Sequence, residues 1–181
     1  MNDFLFRNSL AQTDPDLERL IGYETERQAR KLVMIPSESI APVAVHEAVA
    51  SFFSHIYAEG YPDNRTRTMN QDEILDYASE LGHYRRYADP RYYKGVEYAD
   101  ILESLARRRV AEVFATEDVT ADDLYVNVQS LSGAPANTAI QYALMEPGDT
   151  MMSMALHVGG HLSHGSKVAY SGKTFNVVHY G

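Results

Sequence analysis

A chain of 181 residues is long enough for one domain with its own core, and 45% hydrophobic and 23% charged residues are ordinary for a globular protein. Sixteen basic against 25 acidic side chains leave −9, which argues against a nucleic-acid or anionic-membrane partner, because phosphate contacts need clustered Lys and Arg. The absence of cysteine excludes disulfides, thiolate zinc sites and a Cys nucleophile, and no apolar run approaches the ~20 residues of a membrane helix.

Met1-Asn2-Asp3-Phe4-Leu5-Phe6 has no basic start followed by a long apolar core, so no secretory signal is expected and a cytoplasmic protein is the plain reading. Asp14-Pro15 opens the first helix, with Asp14 as N-cap, Pro15 in the first turn and Leu17, Leu20 and Ile21 as an apolar stripe. A short extended piece, Val33-Met34-Ile35-Pro36, follows. The spacing of Val45, Ala48, Val49, Phe52, Phe53 and Ile56 predicts a second helix from about Pro42.

Residues 63–90 differ in character, being polar and rich in Arg, Asp and Tyr, with a short helix expected around 71–81. They read as an insertion or mobile loop, a kind of connection that is often functional. Deleting them is expected to alter substrate preference more than stability. A long helix is predicted over 97–114, with Ile101, Leu102, Leu105, Val110, Val113 and Phe114 as its stripe and Arg107-Arg108-Arg109 as a solvated face.

The last third changes period. Residues 124–128 read as a buried strand, 132–145 as a helix stopped by Glu146-Pro147-Gly148-Asp149, and 150–154 and 174–180 as further strands. Strand, helix, strand at this spacing makes a βαβ unit, so the fold class is α/β with a mainly parallel sheet, expected to be incomplete in this chain.

Four clusters bear on chemistry. Gln129-Ser130-Leu131-Ser132-Gly133-Ala134-Pro135-Ala136-Asn137 joins strand to helix; small residues and free N–H groups there suit a phosphate or carboxylate, or make an ordinary helix start capped by Ser132. Neither GxGxxG nor GxxxxGK[ST] occurs. His157-Val158-Gly159-Gly160-His161-Leu162-Ser163-His164-Gly165 lies past a strand's C-terminal end, where open α/β sheets place ligands. Its histidines suit a metal, a ring stacked on an aromatic ligand, or plain loop structure; with glycines between them and no carboxylate among them, the metal reading is the weakest. Tyr57-Ala58-Glu59-Gly60-Tyr61-Pro62 and Arg91-Tyr92-Tyr93-Lys94-Gly95 pair tyrosines with a carboxylate, suited to proton handling or to covering a core edge. Pro36-Ser37-Glu38-Ser39 is uninformative by spacing alone.

Taken in order, these clusters resemble serine hydroxymethyltransferase, a fold-type I pyridoxal-phosphate enzyme. The likeness runs from about Asp16 to Gly181 and also rests on Glu146-Pro147-Gly148-Asp149-Thr150, Ser171-Gly172-Lys173 and Tyr180-Gly181. It implies an N-terminal helical arm with substrate and partner-subunit loops over 1–62, an insertion at 63–90, and the first part of the cofactor-binding large domain over 91–181.

Roles follow from the resemblance position by position. Ser37 matches the serine that binds the substrate carboxylate, and Tyr57 the tyrosine that reaches the neighbouring subunit's cofactor phosphate. Glu59 matches the carboxylate that handles the hydroxyl proton and contacts folate, and Tyr93 the second tyrosine of the family pair, near the substrate. Ser132, Gly133 and Ala134 match the phosphate cup, His161 the imidazole stacked on the pyridine ring, and Leu156, Gly160 and Leu162 the folate wall.

Departures stand beside these matches. Ser39 replaces an asparagine, and Leu131, Ala134 and Pro135 replace the usual His, second Ser and Gln of the cup. They leave open a specialised aldolase or transaldolase acting on another aldehyde, with tetrahydrofolate not used. None of the four lysines, Lys31, Lys94, Lys167 and Lys173, lies where the family's cofactor-bearing lysine belongs. The resemblance therefore implies that a C-terminal half, as a separate chain or a lost segment, supplies that lysine within a homo- or hetero-oligomer, and that this chain alone is inactive. A non-catalytic binding or regulatory module of the same fold is the competing reading.

Overall fold

The computed structural model of the protein describes residues 7–181; the stretch read above as lacking a secretory signal lies outside the described residues. Two compact units divide the chain after His55.

The first unit is helical and locally held. Ser9 and Gln12 form a reciprocal capping box on α1 (Leu10–Thr13). Asp14 then caps α2 (Pro15–Arg30) by accepting the Leu17 N–H at 3.0 Å, as the Asp-Pro signal predicts. Arg27–Glu24 and Arg30–Glu26 pairs brace its exposed face at helical spacing. After α3 (Val43–Val49) a 3₁₀ turn, Phe52–His55, replaces the rest of the expected second helix. The stripe Leu17, Leu20, Ile21 does run along α2, yet no residue of these helices is buried.

The second unit holds the buried core, and most of it comes from 63–104. A 3₁₀ turn, Asn64–Arg67, leads to α4 (Gln71–Ile74), α5 (Tyr77–Tyr87) and α6 (Glu97–Phe114). Asn70 and Asp76 cap the two shorter helices through the N–H groups of Glu73 and Ser79. Ile74, Tyr84 and Ile101 form the apolar core, with Met69, Leu81 and Leu105 packed against it. This corrects the reading of 63–90 as a mobile loop: two of the three core residues lie inside it. With two core side chains inside the segment, its deletion is expected to cost stability first and not mainly substrate preference.

The predicted bounds of α6 hold, but only part of the predicted stripe faces the core: Ile101 is buried and Leu105 packs against it. Ala99, Asp100, Ile101, Ser104 and Ala111 are buried, while Leu102, Val113 and Phe114 are exposed. Small and polar side chains let α4 and α5 pack close to α6, so the Leu and Phe positions face away. The Ser104 hydroxyl donates to Thr66 Oγ1 at 2.8 Å, and Thr66 donates in turn to the Asp63 carbonyl. The arginine run is partnered rather than merely solvated: Arg108 pairs with Glu112 and Asp122, and Arg109 bonds Gln71.

Residues 124–128 do not form the predicted strand. Leu124 is extended, but the sheet has two strands among the described residues, and Tyr125 is 81% exposed. Hydrophobic pattern sets extension; a strand also needs a neighbour's hydrogen bonds, which the pattern does not supply. Then α7 (Gly133–Leu144) leads to β1 (Thr150–Met154), and α8 (Tyr170–Thr174) to β2 (Asn176–Tyr180). β1 and β2 pair in parallel from Thr150↔Asn176 to Met154↔Tyr180, so the parallel sheet is present as a two-stranded ladder. Among the described residues no helix is long and apolar enough to cross a membrane.

Candidate functional site

The segment carrying Tyr57 and Glu59 is held against the one carrying Tyr93 by a buried arginine. Arg91 is 2% exposed and Asp100 fully buried, and Arg91 Nε donates to Asp100 Oδ1 at 2.6 Å. Its Nη2 donates to Glu103 Oε2 at 2.6 Å, and its Nη1 to the carbonyls of Ala58 and Gly60. One guanidinium thus binds two carboxylates of α6 and both carbonyls flanking Glu59, a use for which its planar fork is suited. The Tyr92 N–H donates to the Glu59 carbonyl at 3.1 Å, and the Tyr57 and Tyr93 rings lie 5.7 Å apart.

Backbone geometry serves the same approach. Gly60 has φ +102°, and a Cβ there would sit 3.3 Å from Arg91 Cα, so glycine meets both demands. Buried Asp89 accepts the N–H groups of Arg91 and Gly95 and so shapes the turn that presents Tyr92 and Tyr93. Ala88, at φ 60° and ψ 161°, reverses the chain just before it, a conformation costly for any residue with a Cβ. Burial pushes the Asp100 carboxyl up to about 6 against the pull of Arg91, and its Oδ2 has no hydrogen-bond partner. Burial and the nearby Asp100 and Glu80 also raise the Tyr84 phenol.

The small-residue turn opens α7. Ser132 occupies the N-cap position, but its side chain makes no capping bond, contrary to the simple cap reading. Pro135 has no N–H and the Ala136 N–H is tied to Ser132 O at 3.2 Å. The remaining donors of this start are the exposed Ser132 hydroxyl and the N–H groups of Gly133 and Ala134, which a helix leaves unbonded. Free donors at a helix start, with the helix dipole behind them, suit an anion.

The histidine loop is tied to the same helix. Asn137, on α7, donates to Ser163 Oγ at 2.8 Å, and that hydroxyl lies 2.8 Å from His161 Nδ1. The Ser163 N–H also donates to His161 Nδ1 at 3.1 Å, so Nδ1 is the acceptor and a neutral ring carries its proton on Nε2. The ring itself is exposed, with one edge fixed. Gly160 turns tightly beneath it: a Cβ there would fall 2.0 Å from the Met154 carbonyl oxygen. Among the described residues no group of three or more His, Cys, Asp or Glu side chains is placed to hold a metal ion.

The structure therefore brings Tyr57, Glu59 and Tyr93 together. It links Ser132, Gly133 and Ala134 to His161 through Asn137. Leu156 and Leu162 flank Gly160 as exposed side chains of the same loop. Ser37 sits exposed in a turn of the first unit, beside the Glu38 N–H bond to Ile35 O, and is described only there. Sequence reasoning missed the roles of Arg91, Asp100, Glu103 and Asn137, and of Gln129, whose Nε2 donates to the Gly60 carbonyl at 2.7 Å and to Glu103 Oε1 at 2.8 Å. The available signal was a lone Arg before two tyrosines and acidic residues on the helix that follows.

Comparison with known proteins gives this geometry a family. The family model of serine hydroxymethyltransferase matches residues 10–88 and 82–181. The chain is 40% identical to a serine hydroxymethyltransferase of Kocuria rhizophila over 99% of its own length and 35% of that protein's. It is 39% identical to one of Acinetobacter radioresistens, over 98% of this chain and 35% of the relative. It is 41% identical to serine hydroxymethyltransferase 2 of Rhodospirillum rubrum, over 97% and 33%. The chain thus spans about a third of the length of these relatives, and the match lies in their N-terminal part. On this sequence likeness, carried across the tyrosine loops, the small-residue helix start and the histidine loop alike, the chain belongs to the serine hydroxymethyltransferase family.

Proposed function

We propose that this chain is the N-terminal portion of a pyridoxal-phosphate-dependent, serine hydroxymethyltransferase-like enzyme that interconverts serine and glycine with transfer of a one-carbon unit to tetrahydrofolate. The observation that carries the reading is the double attachment around the α7 start, through Gln129 to the Glu59 loop and through Asn137 and Ser163 to His161. The donor set fits the cofactor. Ser132 Oγ and the Gly133 and Ala134 N–H groups match a phosphate, and an exposed imidazole with one fixed edge matches a flat ring. When bound, pyridoxal phosphate supplies an electron sink for charge developing on the substrate's α-carbon.

This chain's residues do the rest. Ser132, Gly133 and Ala134 hold the phosphate, with Tyr57 reaching it from the other subunit of an oligomer. His161 lends its face to the ring. Glu59 takes the proton from the substrate hydroxyl, while Tyr93, its ring 5.7 Å from that of Tyr57, orders the substrate beside it. Ser37 binds the substrate carboxylate, and Leu156, Gly160 and Leu162 offer an apolar wall for the folate. Lys31, Lys94, Lys167 and Lys173 do not carry the cofactor; that lysine comes from the remaining two thirds of the enzyme, on the same or a second chain.

The test mixes this chain with the lysine-bearing segment and pyridoxal phosphate and follows visible absorbance. A new band that neither component develops alone is the expected result. Two folded components without a band would leave a regulatory module as the better reading. Pro135, which removes a donor from the cup, is the observation favouring a relative specialised for another aldehyde. Equal turnover with and without tetrahydrofolate on such an aldehyde would select that alternative.

A further inference from the structure

The side chain of Gln129 ties the Glu59 loop to the segment before α7 through more than one bond. Its Nε2 donates to the Gly60 carbonyl at 2.7 Å and to Glu103 Oε1 at 2.8 Å. Arg91 donates to the same Gly60 carbonyl at 3.2 Å and to the other Glu103 oxygen at 2.6 Å. The four groups close a ring, Arg91 to Gly60 to Gln129 to Glu103 and back. Gln129 is its single member from the segment that leads into the anion-binding turn, three residues before Ser132. The Gln129 N–H is itself fixed on Asn127 Oδ1 at 2.8 Å, so the side chain leaves a braced backbone.

We infer that Gln129 is a positioning residue that straps the phosphate-binding start of α7 to the Glu59 loop, so that an anion held at Ser132–Ala134 stiffens the loop presenting Glu59 and Tyr57. The strap rests on the cofactor reading above only for the identity of the anion. An amide is suited to it because both of its N–H donors are used at once, on a carbonyl and a carboxylate; a carboxylate in its place has no donor and repels Glu103. Coupling of this kind is reciprocal: if the anion stiffens the loop, the loop holds the anion.

The reporter is the Tyr92 N–H, bonded to the Glu59 carbonyl. Amide exchange at Tyr92 is measured in the whole enzyme, this chain with its lysine-bearing segment, with and without pyridoxal phosphate. In the parent protein the cofactor should slow exchange about fivefold, the scale of one ordinary hydrogen bond. In Gln129→Ala, at cofactor concentrations that saturate it, the slowing should vanish, and the cofactor Kd should rise by about the same factor. Gln129→Glu keeps the side chain's size and should behave as Gln129→Ala does, which covers a failure of either variant to fold. Cofactor-dependent slowing retained in both variants overturns the strap while leaving the cofactor reading intact. Inorganic phosphate repeats the comparison without any ring chemistry. Slowing by phosphate that Gln129→Ala abolishes upholds the strap even if pyridoxal phosphate does not bind and the functional reading falls. No slowing of the parent by either ligand overturns it.

Discussion

The two ends of the second unit are held together by opposite means. From 56 to 104 the interior combines the apolar cluster of Ile74, Tyr84 and Ile101 with buried ion pairs: Arg91 is enclosed by Asp100 and Glu103, and Arg65 meets buried Glu80 through both terminal guanidinium nitrogens. From 133 to 181 the interior is backbone packed on backbone. Gly160 and Gly172 leave no room for a methyl group, buried Ser171 bridges the Gly165 N–H to the Ser163 carbonyl, and a five-residue parallel ladder supports the loop. The first region positions side chains by electrostatics and the second by steric closeness. A proton-handling carboxylate belongs with the former and a stacking ring with the latter, which is how the candidate roles fall.

The charged and apolar interior of the first region depends most on 63–90. Deleting the segment removes Ile74 and Tyr84 from the core and Glu80 from Arg65, so the second unit should fail to fold, read as loss of cooperative urea unfolding. A deletion protein that unfolds at the parent's midpoint would show the segment to be an ornament after all. Arg91→Ala comes next. It strands two carboxylates, one fully buried, and should cost about 3–5 kcal/mol in urea titrations, the scale of breaking a buried pair from one side.

Asp100 gives the first region a pH-dependent stability. Its folded carboxyl titrates at about 6, above its ordinary 3.8. The stabilising contribution of the protonated form is therefore complete below pH ~4 and is lost as the pH rises through ~6, up to about 3 kcal/mol in all. Asp100→Asn, which resembles the protonated state, should flatten stability between pH 4 and 7. A parallel decline in parent and variant would assign the effect elsewhere. The smallest effect is at Ala88, whose φ of 60° favours glycine: Ala88→Gly should raise the urea midpoint by the equivalent of about 1 kcal/mol. A lower midpoint would mean that the turn is not strained.

Local signals were legible where the physics is local. Asp14-Pro15 announced a cap and a helix start, and both are in place because capping needs only the next three residues. The bounds of α6 followed from its apolar and charged spacing, and β1 and β2 from short apolar runs between turn residues. The family resemblance was also readable, since motif order survives without any knowledge of packing. Residues 124–128 were misread because a strand is completed by a neighbour. The stripe of α6 was right at Ile101 and Leu105 and misread at Leu102, Val113 and Phe114, because its buried face is chosen by α4 and α5 and not by its own hydrophobicity alone.

Legible in the sequence alone were the family, the capped start of α2, the bounds of α6, and the residue types available for an anion, a flat ring and a proton. Only the tertiary structure decided that 63–90 is core, that Arg91 gathers Ala58, Gly60, Asp100 and Glu103 around Glu59, and that Gln129 and Asn137 tie the start of α7 to both flanking loops. The reason is range. A cap or an amphipathic turn is settled within a few residues, whereas Gln129 meets a carbonyl 69 positions away, and no local pattern encodes which distant groups a fold will bring within 3 Å.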